Sequence, residues 1–268
     1  MKRVITALLS LRHEVISWPD TEERARISDR FKRNYGLDGA VAIIDGTPVL
    51  FAQRPAVDGE TFFSRKGVYC INLQLICDDR GLIRYYIAGW PGSVFDNTVY
   101  QKSSLFCKPQ EFFSPDQFLL ADSGYALTHN CMVPYRQPYA SDKDNQKFNE
   151  LFSSARVKIE HVNGILKSRW ASLKGIPTQV KKKEDFKTVN RHIVATLVLY
   201  NLLLRFRDEW TEEDGIVVEE APGIQERARA QQQANEAALM EGENGPKNRR
   251  KVVQERCLAW YYINHVLV

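Results

Sequence analysis

Short apolar runs separated by polar turns fill the first part of the chain and predict β-strands. These runs read VAIID, TPVLFA, VYCINLQLIC and LIRYYIA. The last two are joined by Asp78-Asp79-Arg80-Gly81, a sequence typical of a tight turn between antiparallel strands. The pattern therefore predicts an antiparallel meander.

Helical periodicity appears in the second part of the chain. Residues 97–106 predict a helix, FLLAD and CMVPY predict two further strands, and residues 144–170 predict a long helix. Apolar residues recur along that helix at steps of three and four and form one stripe. They are Phe148, Leu151, Phe152, Ala155, Ile159, Val162, Leu166 and Trp170. Strands followed by alternating helix and strand predict a mixed α/β sheet flanked by helices.

The two ends of the chain differ from this central region. MKRVITALLSLRHE lacks a small-residue cleavage site, which favours an amphipathic helix over a secretory signal. The longest apolar run, residues 193–204, is too short to span a bilayer, so no membrane association is expected. We predict a helical N-terminal segment at 1–38, a catalytic-type domain at 39–210, and a polar C-terminal tail at 211–268, helical and partly disordered.

Composition and charge narrow the class of protein. A chain of 268 residues with 44% hydrophobic content can bury a large core. Its five cysteines contain no CxxC pair, which argues against a disulfide framework or a structural zinc site and indicates a reducing compartment. The segment from Arg156 to Arg191 contains ten Lys/Arg residues and three acidic ones. This excess of seven positive charges would attract a polyanion.

Three acidic residues are the main candidates for chemistry. Asp45 closes the run VAII, Asp122 closes FLLA, and Glu160 lies beside the apolar stripe of the long helix. Taken singly, each Asp also fits an ordinary strand-to-turn transition, and Glu160 fits a solvated position paired with Arg156 one turn earlier. Carboxylates that converge repel one another unless a cation joins them, and hard oxygen ligands suit Mg²⁺ or Mn²⁺.

Several basic residues are candidates for contact with nucleic acid: Lys66, Arg156, Lys167, Arg169, Lys181, Lys182 and Lys183. For Lys66, a charged hairpin edge that discourages aggregation is an equally good interpretation. For the run Lys181–Lys183, a solvated loop before a helix is the alternative to phosphate binding or nuclear import.

An ordered set of motifs carries a family resemblance. The motifs are IIDGTPV, SRKGVYCINLQLICDDRG, GWPGSVFDN, LLADSGYAL and FNELFSSARVKIEHVNGILKSRWASLKG. Over residues 17–207 the chain resembles the DDE-superfamily endonucleases of PIF/Harbinger transposases and their domesticated relatives. The resemblance implies an RNase H-like fold with Asp45, Asp122 and Glu160 as the catalytic and metal-binding triad. It places Asp96 of GSVFD in a supporting role, with Phe95 where the family often has histidine.

The resemblance also sets expectations about activity and partners. It implies a nuclear DNA endonuclease that uses Mg²⁺ or Mn²⁺, with two ions, and cleaves phosphodiester bonds by hydrolysis or strand transfer. Only 44 residues precede Asp45, so a Myb/SANT-like partner is expected to supply DNA binding and nuclear delivery; without it the chain would also be cytoplasmic. Self-association stays open. The alternative function is a domesticated, inactive DNA-binding or protein-interaction module.

Overall fold

The computed structural model describes residues 2–206, 208 and 245–265. At its centre is a sheet of five strands, β1 Ala40–Leu50, β2 Cys70–Cys77, β3 Ile83–Pro91, β4 Phe118–Leu120 and β5 Cys131–Met132. The strand order is β3-β2-β1-β4-β5. The strands β1, β2 and β3 are antiparallel neighbours, whereas β4 runs parallel to β1 and to β5. The predicted antiparallel meander and the mixed sheet are both confirmed.

Helices flank this sheet, as predicted. They are α1 Lys2–Ser10, α2 Arg12–Val15, α3 Thr21–Tyr35, α4 Asp96–Gln101, α5 Ser104–Cys107, α6 Lys143–Arg169, α7 Lys183–Arg205 and α8 Pro246–His265. Helices α3 and α6 pack against β1, and α7 packs against β3. Within the described ranges, no helix has the length and apolar character needed to cross a membrane.

The strand β1 corrects one prediction. VAIID and TPVLFA were predicted as two strands, but residues 40–50 form one continuous strand. Pro48 is accommodated because the pairing of β1 with β4 ends at Ile43, so beyond it only the ladder with β2 has to be maintained. The continuous strand fixes the backbone on both sides of Asp45.

Two other predicted elements are shorter than expected. The helix predicted at 97–106 is divided into α4 and α5, and Ser103 caps the second by accepting a hydrogen bond from the Phe106 N–H at 3.3 Å. The strand predicted for CMVPY is confined to Cys131–Met132, because Pro134 has no N–H to continue the ladder.

The long helix is confirmed. Helix α6 begins after Asp142, whose carboxylate accepts hydrogen bonds from the backbone N–H groups of Asp144 and Asn145. Most of its apolar stripe is buried, namely Phe148, Phe152, Ala155, Ile159, Val162 and Leu166. The polar flank of α6 is thereby held above β1, where Asp45 lies.

Part of the C-terminal tail packs onto this domain. Helix α8 contacts α6 and α3, with Val253 and Cys257 buried. The Gln254 side chain accepts a hydrogen bond from the Tyr135 hydroxyl at 2.9 Å and donates one to Asn145 Oδ1 at 2.6 Å. The predicted disorder in the tail concerns residues that lie outside the described ones.

Candidate active site

The parallel register of β1 and β4 brings two aspartates together. Ile43 pairs with Leu120, the last residue of β4, so Asp45 in β1 and Asp122 just beyond β4 lie at corresponding positions, each two residues further on. Side chains two residues apart share a face of the sheet. Asp122 lies two residues after the end of β4, and its Oδ1 accepts a hydrogen bond from the Gly124 N–H at 2.7 Å. The fold therefore juxtaposes the two carboxylates that the sequence predicted.

Helix α6 supplies the other side of this site. Asn163 donates a hydrogen bond from Nδ2 to Asp45 Oδ2 at 2.9 Å, and Arg156 Nη2 lies 3.7 Å from Asp45 Oδ1. Seven residues separate Arg156 from Asn163, so both lie on one face of the helix. Glu160 lies between them, four residues after Arg156 and three before Asn163, and its side chain is exposed. The same helix face therefore carries all three residues.

Asp96 approaches the strands from another direction. Asn72 Nδ2 donates to Asp96 Oδ1 at 2.7 Å, and Gln74 Nε2 donates to the Asp96 carbonyl at 2.7 Å. A Cβ on Gly46 would lie 2.5 Å from the Asp96 carboxyl atoms. Because Gly46 and Asp45 face opposite sides of β1, Asp96 lies across the strand from the residues of α6.

The electrostatics of the site reflect crowded carboxylates. Burial, reinforced by the charge of Asp122, raises the pKa of Asp45 to about 7, although Arg156 acts in the opposite direction. Asp96 and Glu160 add smaller contributions that also raise the pKa of Asp45. Burial likewise raises the pKa of Asp96, against the hydrogen bond from Asn72. The four acidic groups therefore share one electrostatic environment, in which Arg156 is the cation that opposes the rise in the pKa of Asp45.

Several buried polar atoms around these carboxylates lack a hydrogen-bond partner within the described part of the chain. They are Asn72 Oδ1, Gln74 Oε1, Tyr125 OH, Arg156 Nε and Asn163 Oδ1. Unpaired buried polar groups are costly and tend to mark functional sites. Three of these atoms are amide oxygens, which, together with carboxylates, are ligands that Mg²⁺ and Mn²⁺ accept. The amide and carboxylate oxygens of the site therefore fit a hard divalent cation.

The side chains do not form a closed ligand set. Over residues 2–206, 208 and 245–265, no group of three or more His, Cys, Asp or Glu side chains is close enough to hold a metal ion. Asp45, Asp122 and Asp96 are each hydrogen-bonded to a different donor, Asn163, Gly124 and Asn72 respectively. Mutual repulsion favours this separation.

The predicted DNA-binding residues occupy different environments. Burial raises the pKa of Asp96 and that of Cys70 at the start of β2. The positive charge of Lys66 opposes the rise at both groups and that of Lys167 opposes it at Cys70, so both lysines lie near the site. Arg169 forms an ion pair with Asp208 at the end of α6. The run Lys181–Lys183 is exposed before and at the start of α7, and Lys183 Nζ lies 3.9 Å from Asp58.

The sequence reasoning missed two residues of this site, Asn72 and Gln74. Both are polar residues at alternate positions within the apolar strand CINLQLIC, and both are buried. A polar pair with a period of two inside an otherwise apolar strand is a signal for a buried hydrogen-bonding role. That signal identifies the pair, but not Asp96 as the group it binds.

Comparison with known proteins agrees with this geometry. Residues 44–201 match the family model described as DDE superfamily endonuclease. The chain is 28% identical over 211 residues to the Homo sapiens protein named "Putative nuclease HARBI1", covering 78% of this chain and 59% of that protein. For the Bos taurus protein of the same name the identity is 27% over 222 residues, covering 82% and 62%.

A plant protein is also similar. "Protein ALP1-like" of Arabidopsis thaliana is 25% identical over 219 residues, covering 74% of this chain and 50% of that protein. The chain thus spans less than two thirds of the length of these relatives. No solved structure matches the chain significantly.

Proposed function

Because the chain belongs to the DDE superfamily endonucleases, we propose that it is a divalent-metal-dependent nuclease that cleaves phosphodiester bonds in DNA. The observation that carries the proposal is the register of β1 and β4, which sets Asp45 beside Asp122. The strand β1 fixes the backbone of Asp45 while its side-chain oxygens stay within reach of ligands, since 22% of the side chain is exposed.

The acidic residues have separate roles in this proposal. Asp45 and Asp122, together with Glu160 from α6, would hold the divalent cations, and Asp96 supports Asp45 through the backbone of Gly46. Two Mg²⁺ or Mn²⁺ ions at these oxygens would activate a water molecule, or the hydroxyl group at the end of a DNA strand, and would stabilise the leaving oxygen at phosphorus. The amide of Asn163 orients Asp45, with which it shares a hydrogen bond of 2.9 Å.

The basic residues bind the phosphate backbone in this proposal. Arg156 has a side chain only 13% exposed beside Asp45, and its Nε has no partner within the described ranges. A scissile phosphate at the carboxylates would accept that N–H and stay in place during the reaction. Lys66, Lys167 and the exposed run Lys181–Lys183 bind flanking phosphates. Arg169 is a weaker candidate because its guanidinium is already paired with Asp208.

The cellular location of the protein and its partner are also part of the proposal. We propose that the protein acts in the nucleus and that a Myb/SANT-like protein supplies part of the DNA recognition. The exposed lysine run before α7 supports import, because clustered lysines are typical of nuclear localisation signals. Fractionation of cells with and without substitution of Lys181–Lys183 by alanine tests this: loss of nuclear accumulation supports import through the run, and unchanged accumulation contradicts it.

Cleavage of supercoiled plasmid by the purified protein tests the central proposal. We expect nicking in Mn²⁺ or Mg²⁺, none in EDTA, and loss of nicking in Asp122→Asn, which retains the side-chain oxygen that Gly124 binds. Glu22→Ala is the matched control, since it removes an exposed carboxylate on α3. Nicking that survives in Asp122→Asn would refute the assignment of Asp122.

The melting temperature of the same proteins separates the nuclease from the inactive module. Ions that bind only the folded state raise its melting temperature. Stabilisation by Mn²⁺ that Asp122→Asn abolishes supports a metal site at the carboxylates. Absence of both nicking and stabilisation in the folded wild type would favour the non-catalytic DNA-binding or protein-interaction module.

A further inference from the structure

Two exposed phenylalanine rings flank the acidic site. Phe95 directly precedes Asp96 and is 36% exposed, and Phe63 lies in the loop before β2 and is 43% exposed. Single exposed apolar residues are common on protein surfaces. These two are unusual because of their neighbours: Phe95 precedes the carboxylate of Asp96, and Phe63 lies next to the cations Arg65 and Lys66.

The backbone around both rings is anchored. Phe63 forms a β-bridge with Tyr69, and the centroids of the two rings are 4.9 Å apart. The turn between them closes through a hydrogen bond from the Gly67 N–H to the Ser64 carbonyl at 2.9 Å, and Gly67 has a φ of +74°. Ser93 Oγ donates to the Thr61 carbonyl at 2.6 Å and so connects the loop of Phe95 to that of Phe63.

Cations accompany the rings. The Arg65 guanidinium lies 3.2 Å from the centroid of the Phe95 ring, and Arg54 lies 5.8 Å from that of Tyr69. Arg65 and Lys66 are both exposed at the tip of the turn. Because Arg65 packs on Phe95, which directly precedes Asp96, the tip of the turn lies close to this carboxylate. Two exposed aromatic rings and two exposed cations therefore lie together beside Asp96.

We propose that this aromatic turn, consisting of Phe63, Arg65, Lys66, Tyr69 and Phe95, binds unpaired nucleotides next to the cleaved phosphodiester bond. The rings stack on bases and the cations bind the phosphates between them. The inference rests on the proposed nuclease function and specifies its substrate: DNA whose bases are unpaired beside the cleavage point.

The physical reason for unpaired bases is accessibility. In an intact duplex the base faces are stacked on one another and a protein ring cannot reach them without unstacking a step. The phosphates, by contrast, are accessible in both forms and would need only cations. Exposed rings interleaved with Arg65 and Lys66 match a flexible strand that offers bases and phosphates in turn. The complementary chemistry therefore favours a frayed or single-stranded flank over a blunt duplex.

Fluorescence anisotropy with labelled oligonucleotides tests the inference. The probes are a blunt duplex and a duplex of equal length with a forked, unpaired end, both in Ca²⁺ to limit cleavage. We expect the wild type to bind the forked probe at least five times more tightly than the blunt one, since stacking of one base is worth roughly five- to 150-fold in affinity. Phe95→Ala should lose that preference and keep its affinity for the blunt duplex.

A second readout detects stacking directly. With 2-aminopurine in the unpaired flank, stacking on an aromatic ring quenches the fluorescence, so binding of the wild type should lower it. Phe95→Ala should abolish the quenching, Phe63→Ala should reduce it, and Phe95→Trp should restore it. Tyr139→Ala is the matched control, because it removes a ring that is 70% exposed outside the aromatic turn.

The outcomes separate the inference from the proposed function. Equal affinity for forked and blunt DNA, or full quenching in both Phe95→Ala and Phe63→Ala, would overturn the aromatic turn while leaving metal-dependent plasmid nicking intact. Failure of the folded wild type to bind either probe, together with no nicking, would overturn the proposed nuclease and the inference with it. Folding of each variant is checked by its melting temperature.

Discussion

Asn163 and Asp45 form a hydrogen bond of 2.9 Å between helix α6 and the central strand, although 118 residues separate them in the chain. The amide donates its N–H to Asp45, and its own oxygen is buried without a partner within the described ranges. An amide in this position orients the carboxylate and offers a further oxygen to a cation. Asn163 therefore links the packing of α6 to the geometry of the acidic site.

Removal of this amide should weaken metal binding. Asn163→Ala leaves Asp45 without its donor, and loss of a residue that orients a metal ligand typically costs about 10- to 100-fold in metal affinity. We expect the Mn²⁺ concentration that gives half-maximal thermal stabilisation to rise by about that factor. Ser153→Ala, an exposed residue of the same helix, is the control and should leave it unchanged. Equal Mn²⁺ affinity in wild type and Asn163→Ala would contradict the role of Asn163.

The stability of the metal-free protein should fall as pH rises toward neutrality. The pKa of Asp45 is raised from the ordinary 3.8 to about 7, first by burial and then by Asp122. The folded state therefore holds a proton that the unfolded chain has released, and the free energy of unfolding decreases between about pH 4 and pH 7. The full effect is on the order of 4 kcal/mol, since each pKa unit corresponds to about 1.4 kcal/mol.

Asp45→Asn tests this pH dependence because asparagine does not titrate. In EDTA at pH 8 we expect the variant to be more stable to urea than the wild type by about 1–4 kcal/mol, with a smaller difference at pH 5. Glu22→Gln, at an exposed position of α3, should follow the wild type at both values. A difference between Asp45→Asn and wild type that does not change with pH would mean that Asp45 is not the titrating group.

The sequence predicted those elements whose pattern is local. The periodicity of residues 144–170 predicted α6 to within one residue at each end, and Asp78–Gly81 forms the predicted turn, in which Asp78 Oδ1 accepts from the N–H groups of Arg80 and Leu82. The prediction failed where distant pairing decides the outcome. Residues 40–50 are one strand because β2 pairs with them continuously from Ile43 to Leu50, information that no local window contains.

The same division applies to the candidate site. Asp45, Asp122 and Glu160 were found through motif order, whereas Asn72 and Gln74 act through Asp96, more than 20 residues away. Asn201 is similar: it bonds both the N–H and the carbonyl of Ile83 at 2.9 and 2.8 Å, 118 residues distant. A side chain's partner across such a separation depends on the assembled fold, so sequence spacing alone cannot identify it.

Binding of DNA should become less sensitive to salt when Lys66 is removed. Each phosphate contact contributes about 0.9 to the slope of log affinity against log salt concentration. We expect Lys66→Ala to reduce the magnitude of that slope by about 0.9, the value of one phosphate contact, for duplex and forked probes alike. Phe95→Ala should change the affinity for the forked probe and leave the slope unchanged. Lys143→Ala, an exposed residue at the start of α6, is the control. An unchanged slope in Lys66→Ala would remove Lys66 from the interface.

A methyl group on Gly46 should disturb Asp96. The added Cβ would lie 2.5 Å from the Asp96 carboxyl atoms, so Gly46→Ala forces that side chain away from Asn72. We expect a loss of about 1–3 kcal/mol in the free energy of unfolding, the usual cost of overpacking, together with slower plasmid nicking. Urea denaturation measures the first effect and a time course of nicking the second.

A double-mutant cycle and a control identify the cause. If the clash with Asp96 is responsible, Gly46→Ala should cost at least 0.5 kcal/mol less stability in the Asp96→Ala background, because neighbours in contact couple by about 0.5–3 kcal/mol. Gly164→Ala, on α6 with no atom near its added Cβ, should instead stabilise the protein by up to about 1 kcal/mol through helix propensity. An equal loss from Gly46→Ala in both backgrounds would show that the strain arises in β1 itself and not at Asp96.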